Sequence, residues 1–344
     1  MNGRLKDIGT LTERLPQPQK TEDNQKIKYI PSGQVVNFLV DADIDLTGKG
    51  LRIAVIDTGM SNKSPQWRHS LPERDKVMGF TANDWHGHGT HIGTLIGGSP
   101  IDSEYGVLSG MAPDVELISI KAYNYAGLSN TLRLLEAMEL AIEYDCDIIN
   151  ISSGGKQNDR VDNLLENQLM SQNSDRFWVC AAGNSGHEWG ISTPALCPDS
   201  IAVGSVSMTD SEVSHFSAIG PQGRWYEINQ EEYNEDLEVY GDLLIKPDVV
   251  APGGGRAERG NRPMELITSS MRGWFDGFYD ADYDGIGSAQ GTSQAAPFVS
   301  GLIALLLEGN VISTPADFKN ILASQREKRT DIGWGIPFFS RFLI

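Results

Sequence analysis

Long apolar runs are missing from this 344-residue chain: none reaches spanning length, and the polar stretch Met1 to Tyr29 lacks the hydrophobic core of a signal peptide. Basic residues are scarce, 28 Lys and Arg against 46 Asp and Glu, and a net charge of −18 argues against nucleic acid or anionic membrane as partners. Cysteine is scarcer still. Cys146, Cys180 and Cys197 are an odd count without close spacing, and two of them lie in apolar strand-like runs where free buried thiols are common. A reducing cytoplasm is the simpler compartment for such a chain. There is no internal repeat and no low-complexity segment.

What is present, 40% hydrophobic and 22% charged residues, is enough for one large α/β domain or two smaller ones. Residues 1–30 look like a loose N-terminal extension, with Pro16, Pro18 and few apolar groups. Val35 to Val40 suits a short helix or a strand, and Thr47-Gly48-Lys49-Gly50 is a turn. Strands are then expected at Leu51–Ile56, Val115–Ile120, Asp147–Ile151, Phe177–Ala182, Ile201–Val206 and Lys246–Gly253. Helices are expected at Leu128–Tyr144, roughly 161–172, and Pro315–Ala323, while Trp225–Asp242 reads as an acidic, exposed insert. No linker is long or polar enough to divide residues 31–344. Alternation of this kind predicts a single α/β domain: a mostly parallel, doubly wound sheet with helices on both faces.

Chemistry gathers at the ends of these elements. Gly291-Thr292-Ser293-Gln294-Ala295-Ala296-Pro297 opens a helix whose continuation, Leu302 to Leu307, is apolar on every side and belongs in a core. Taken alone, Ser293 reads as a helix cap. The strand Leu51–Ile56 ends in Asp57-Thr58-Gly59, and ligands of open parallel sheets meet the carboxyl ends of strands. Asp57 fits that place, or simply anchors a turn. No second Asp-Thr-Gly or Asp-Ser-Gly exists to build an aspartic protease pair. His86-Gly87-His88-Gly89-Thr90-His91 allows a zinc site with three imidazoles, a general base at His88 on a helix start, or a cluster of solvated histidines. The strand Phe177–Ala182 leads to Gly183-Asn184. Asp57, His88, Asn184 and Ser293 thus fall on one edge of one sheet. Amide hydrolysis needs a nucleophile, a base that takes its proton, a carboxylate that orients the base, and a donor for the oxyanion.

These residues carry a resemblance. Ile56-Asp57-Thr58-Gly59, His88-Gly89-Thr90-His91 with Gly93-Thr94, and Gly291-Thr292-Ser293 with Ala295 and Pro297 resemble, in order, the three catalytic blocks of subtilisin-like serine proteases. Ala181-Ala182-Gly183-Asn184 resembles the segment that bears the oxyanion asparagine, and Ser152-Ser153-Gly154-Gly155 the substrate-binding strand. The resemblance implies a serine endopeptidase with Asp57, His88 and Ser293 as triad, and a protein or peptide substrate held between Ser152-Ser153-Gly154 and the segment around Gly127. No cofactor is implied for the chemistry. A catalytically silent protein that keeps the fold is the rival from another class.

Departures from the family carry information too. Only about fifty residues precede the first core strand, which is more similar to intracellular subtilisins with their short inhibitory extension than to secreted members. Tyr29-Ile30-Pro31 is a partial match to the motif expected in that extension. Where many relatives carry an Asp that helps to bind calcium, this chain has Gln66, although the partner loop Ile101–Val107 keeps its length. A different calcium candidate is Asp280-Ala281-Asp282-Tyr283-Asp284-Gly285, spaced as the first half of an EF-hand loop. Gly291 stands where that loop needs a bidentate Glu, so Asp280, Asp282 and Asp284 would need help from Asp276 or waters to hold a structural Ca2+. A solvated acidic loop is the other reading.

Overall fold

Strands that are apolar on both faces need cover on both faces. The computed structural model describes residues 27–67, 73–155, 160–186, 190–209, 212–220, 245–255, 264–271 and 285–343. Its central strands are β2 (Arg52–Asp57), β3 (Glu73–Lys76), β6 (Glu116–Lys121), β7 (Ile148–Ile151), β8 (Phe177–Ala181), β9 (Ser200–Val206) and β10 (Val249–Pro252). They form one seven-stranded parallel sheet in the order β10-β9-β8-β7-β2-β6-β3. Ile53, Val55, Phe177 and Val179 face one core, shared with α2 (His88–Gly97) and α5 (Thr292–Glu308). The alternate residues Ala54, Ile56, Trp178 and Cys180 face a second core, under α3 (Thr131–Glu143) and α4 (Arg160–Gln172). This is the α/β, doubly wound arrangement that the sequence predicts.

The order of strands also sets where a site belongs. From β2 the chain winds outward to β3 and β6, then crosses back so that β7, β8, β9 and β10 extend the sheet the other way. The switch lies between β2 and β7, and a crevice opens beyond their carboxyl ends. Asp57 ends β2, and Ser152 follows β7.

Helix α5 is buried along most of its length. It packs on β7, β8, β9, β10 and α2, and all its residues from Thr292 to Leu306 except Ser293 are buried. Each buried Leu or Phe there contributes about 1.5–3 kcal/mol relative to exposure. Its cap is Gly291, so Ser293 is the second residue of the helix and not the cap. Pro297 is the sixth residue of α5, beyond the first turn whose amides are free in any case. Having no N–H, it leaves the Ser293 carbonyl without its helical donor.

A smaller sheet stands beside α2. It pairs β1 (Ile27–Pro31) parallel with β11 (Met264–Ser270), and β11 antiparallel with β12 (Ile286–Ala289), which leads into Gly291. The boundary at residue 30 therefore needs correction. Residues 27–30 are part of the folded structure: β1 is stitched to β11 along its length, and Ile30 is fully buried. Residues 1–26 lie outside the described residues, as do the Trp225–Asp242 insert and Asp276, Asp280, Asp282 and Asp284. Val35 and its neighbours form helix α1 (Ser32–Leu39). Helix α3 starts three residues later than the periodicity suggests, because the Asn130 side chain accepts from Arg133 N and caps it. Between α2 and β6 lies a hairpin, β4 (Ile101–Ser103) and β5 (Gly106–Leu108). The helix α6 (Pro315–Gln325) opens with a capping box between Thr314 and Asp317. Among the described residues, no helix is long and apolar enough to cross a membrane.

Candidate active site

Asp57, 1% exposed, stands at the end of β2. Its Oδ1 accepts from Thr58 N at 2.7 Å and meets Nδ1 of His88 at 2.8 Å. A carboxylate can only accept there, so Nδ1 carries the proton, and Nε2 of the neutral ring is left as an acceptor. The His88 side chain is 19% exposed, so the ring reaches out of the core. Burial works to lower its pKa. The charge of Asp57, its hydrogen bond and the charge of Asp84 outweigh burial and hold it above the usual imidazole value. The close approach depends on Gly89, where a Cβ would stand 2.1 Å from the Gly59 carbonyl oxygen and 3.2 Å from the Asp57 side chain.

Asn184 follows β8 and is exposed. Its Oδ1 accepts from Thr292 N at 2.8 Å and from the Thr292 hydroxyl at 3.0 Å, while Gly183 N donates to that hydroxyl at 3.0 Å. Because Thr292 N–H is a donor, the amide is turned with its oxygen to the helix. Nδ2 is then a donor without a protein partner among the described residues, and an added Cβ on Gly291 would sit 3.2 Å from it. Ser293, half-buried, is the next residue after Thr292. Its own N–H is one of the first four of α5, which no intrahelical carbonyl satisfies. The Asn184 amide nitrogen and the Ser293 N–H are thus two donors at the start of α5, one held there through Thr292 and one without a helical acceptor.

Ser152, Ser153 and Gly154 run from β7 with the first buried and the last exposed. Asn150 Nδ2 donates to Ser152 Oγ at 2.8 Å, and Gly155 N donates to the Thr193 carbonyl at 3.2 Å. Ser192 lies behind this segment, close enough that a Cβ on Gly154 or Gly183 would collide with it. Gly127 sits in a tight turn at φ +70°, held by Asn124, whose Oδ1 accepts from Ala126 N and Leu128 N. An added Cβ there would stand 3.3 Å from Nε2 of His86, two residues before His88.

The three histidines do not converge. His91 is fully buried, with Nε2 donating to the Ile267 carbonyl at 3.1 Å, and its pKa is pushed down to about 3, chiefly by burial. His86 Nδ1 accepts from His88 N at 3.3 Å, and its ring meets that of His88 edge-on at 6.2 Å. Among the described residues, no group of three or more His, Cys, Asp or Glu could hold a metal ion. Gln66 does not fit the family's calcium either. Its fully buried Oε1 accepts from Ser269 Oγ at 3.0 Å and from Ser270 N at 2.8 Å, while Nε2 points at the Ser99 carbonyl at 3.5 Å. A neutral amide thus ties β11 to the loop after α2, and the oxygen a cation would need is occupied twice.

Asp84 escaped the sequence reading. It is 6% exposed and accepts five hydrogen bonds, from Thr58 Oγ1 (2.9 Å), His86 N (3.0 Å), Gly87 N (2.7 Å), Thr90 N (2.8 Å) and Thr90 Oγ1 (2.6 Å). The signal available was an Asp just before Gly87-His88, placed to turn the chain into a helix.

Residues 48–335 match the subtilase family, and the chain belongs to it. It is 30% identical over 309 residues to the serine protease AprX of Bacillus subtilis (strain 168), covering 83% of this chain and 63% of that protein. To the major intracellular serine protease of the same organism it is 29% identical over 318 residues, 89% of this chain and 81% of the relative. It is also 29% identical to the mouse membrane-bound transcription factor site-1 protease, of which it spans 23%. The chain therefore spans less than two thirds of AprX and of the site-1 protease. A solved cold-adapted subtilisin-like serine proteinase has the same fold, at TM-score 0.57 and 24% identity over 84% of this chain and 86% of that one.

Proposed function

We propose that this chain is a serine endopeptidase that cleaves protein or peptide substrates through an acyl-enzyme. Ser293 Oγ attacks the scissile carbonyl as His88 Nε2 takes its proton, and Asp57 steadies the imidazolium that forms. Asn184 Nδ2 and the Ser293 N–H hold the oxyanion. His88 returns the proton to the leaving amine, then removes one from the water that frees the acid. Substrate lies extended between Ser152-Ser153-Gly154 and Ala126-Gly127-Leu128, pairing as an added strand. Tyr125 and Leu128, 69% and 64% exposed, line that side with apolar surface suited to apolar substrate side chains. Three buried cysteines outside any disulfide suit work in a reducing compartment.

The observation that carries this reading is the Asn184 amide, anchored by its oxygen to the residue before Ser293 with its nitrogen unspent. Charge develops on the substrate oxygen only in the transition state, so the loss should appear in kcat. Asn184→Ala is expected to lower kcat by about 10²–10³ with KM little changed. That size is already known for subtilisin, so agreement tests the residue assignment. A KM effect with kcat intact would assign Asn184 to substrate binding instead.

A further inference from the structure

Between His86 and Thr90 every backbone N–H except that of His88 ends on one carboxylate, directly or through one hydroxyl. His86 N, Gly87 N and Thr90 N donate to Asp84 itself. Gly89 N donates to Thr58 Oγ1 at 2.9 Å, and that hydroxyl donates in turn to Asp84 Oδ1. Thr58 also sends its own N–H to Asp57 Oδ1. We propose that Asp84 is a positioning residue of the catalytic site: one buried carboxylate that fixes the chain on both sides of His88 and, through Thr58, seats it against Asp57. The proposal rests on the triad reading for its catalytic meaning, but its geometry stands without it.

A structural anchor alone would hold the loop and leave the imidazole's titration where it was. Asp84 does more, because its charge lies close enough to favour the imidazolium. Burial pushes the Asp84 carboxyl up to about 6 against the pull of its donors, so it is ionised at neutral pH. The other groups around His88 are Asp57, His86 and His91, with Lys121 beyond them, its Nζ donating to the Asn83 carbonyl at 2.5 Å. Among the described residues, only the two carboxylates favour the charged ring.

Histidine-labelled protein, followed by NMR across pH, reads the imidazole of His88 without needing activity. Asp84→Asn is expected to lower the His88 titration midpoint and to reduce kcat by about 10²-fold, the cost of a misplaced catalytic group. Thr58→Val breaks the relay but keeps the charge, so kcat should fall about tenfold, the loss of one hydrogen bond to a charged group, while the midpoint stays. A folded Asp84→Asn protein with unmoved midpoint and unchanged kcat overturns the proposal. If Asp84→Asn does not fold, Thr58→Val decides: lowered kcat at unchanged KM supports the relay, and unchanged kcat overturns it. An inactive wild type would sink the protease reading, yet the His88 midpoint would still report the coupling to Asp84.

Discussion

Alanine at His88 or Ser293 is expected to lower kcat by about 10⁶-fold, the size known for subtilisin, so the result tests which residues act as the unit. Each change removes one partner of a single proton transfer, and the losses should not add in the double variant. His86→Ala is the control. Its ring lies beside His88 and accepts the His88 backbone N–H, with no part in the proton transfer, and kcat should stay within a few-fold. The pH profile supplies the sign. Burial draws the His88 pKa down, while Asp57 by charge and hydrogen bond, then Asp84, raise it further. The base works only when neutral, so activity rises with pH, and the acid limb falls above the ordinary imidazole value of about 6.5. Equal losses at His86 and His88, or a limb below that value, would count against the assignment.

The second large effect lies at the opposite edge of the sheet, where β10 begins. Asp248 is buried with Lys246 at 2.7 Å on Oδ2 and Lys328 at 2.6 Å on Oδ1. Ala202 N adds a bond at 2.8 Å, and Lys246 also donates to the Ser200 carbonyl at 3.0 Å. Burial works to raise the Asp248 pKa, but Lys246, then Lys328 and Lys319, overcome it and hold the carboxyl well below the usual range. Asp248→Asn strands buried ammonium groups, and removing one partner of such a cluster costs about 3–5 kcal/mol. Denaturation in guanidinium chloride at neutral pH should show that loss, with activity per folded molecule retained. Because the folded pKa is depressed, the contribution is present above the unfolded value of about 3.9 and fades as pH falls through the folded one. The wild type should therefore lose its advantage over Asp248→Asn in acid. A neutral-pH loss below about 1 kcal/mol would place this cluster among weak surface pairs.

How much of this was legible depended on what holds each part together. Central strands such as Arg52–Asp57 and Phe177–Ala181 announce themselves because both faces are apolar. The smaller sheet does not, since it is closed by polar groups. Thr268 and Ser288 share a hydrogen bond across β11 and β12, and Ser269 bonds Thr94 and Gln66, so Met264–Ser270 carries no apolar alternation. Ile27–Pro31 is hidden because its partner β11 stands far away in the sequence. Asp57, His88, Asn184 and Ser293 stood out through the small residues around them, which exist to let backbones approach. Asp84 stood in a polar loop, where only the folded positions of Thr58, His86, Gly87 and Thr90 reveal its five donors. His91 shares a short motif with His88, yet it is fully buried and its ring is held by the Ile267 carbonyl, which the sequence does not show.

The central claim is that Ser293 is an activated nucleophile, and reaction with a fluorophosphonate probe tests it most directly. The account predicts one covalent adduct, mapped by mass spectrometry to Ser293 and lost in His88→Ala. No adduct on the folded wild-type chain, or an adduct on another serine with Ser293 untouched, would contradict it.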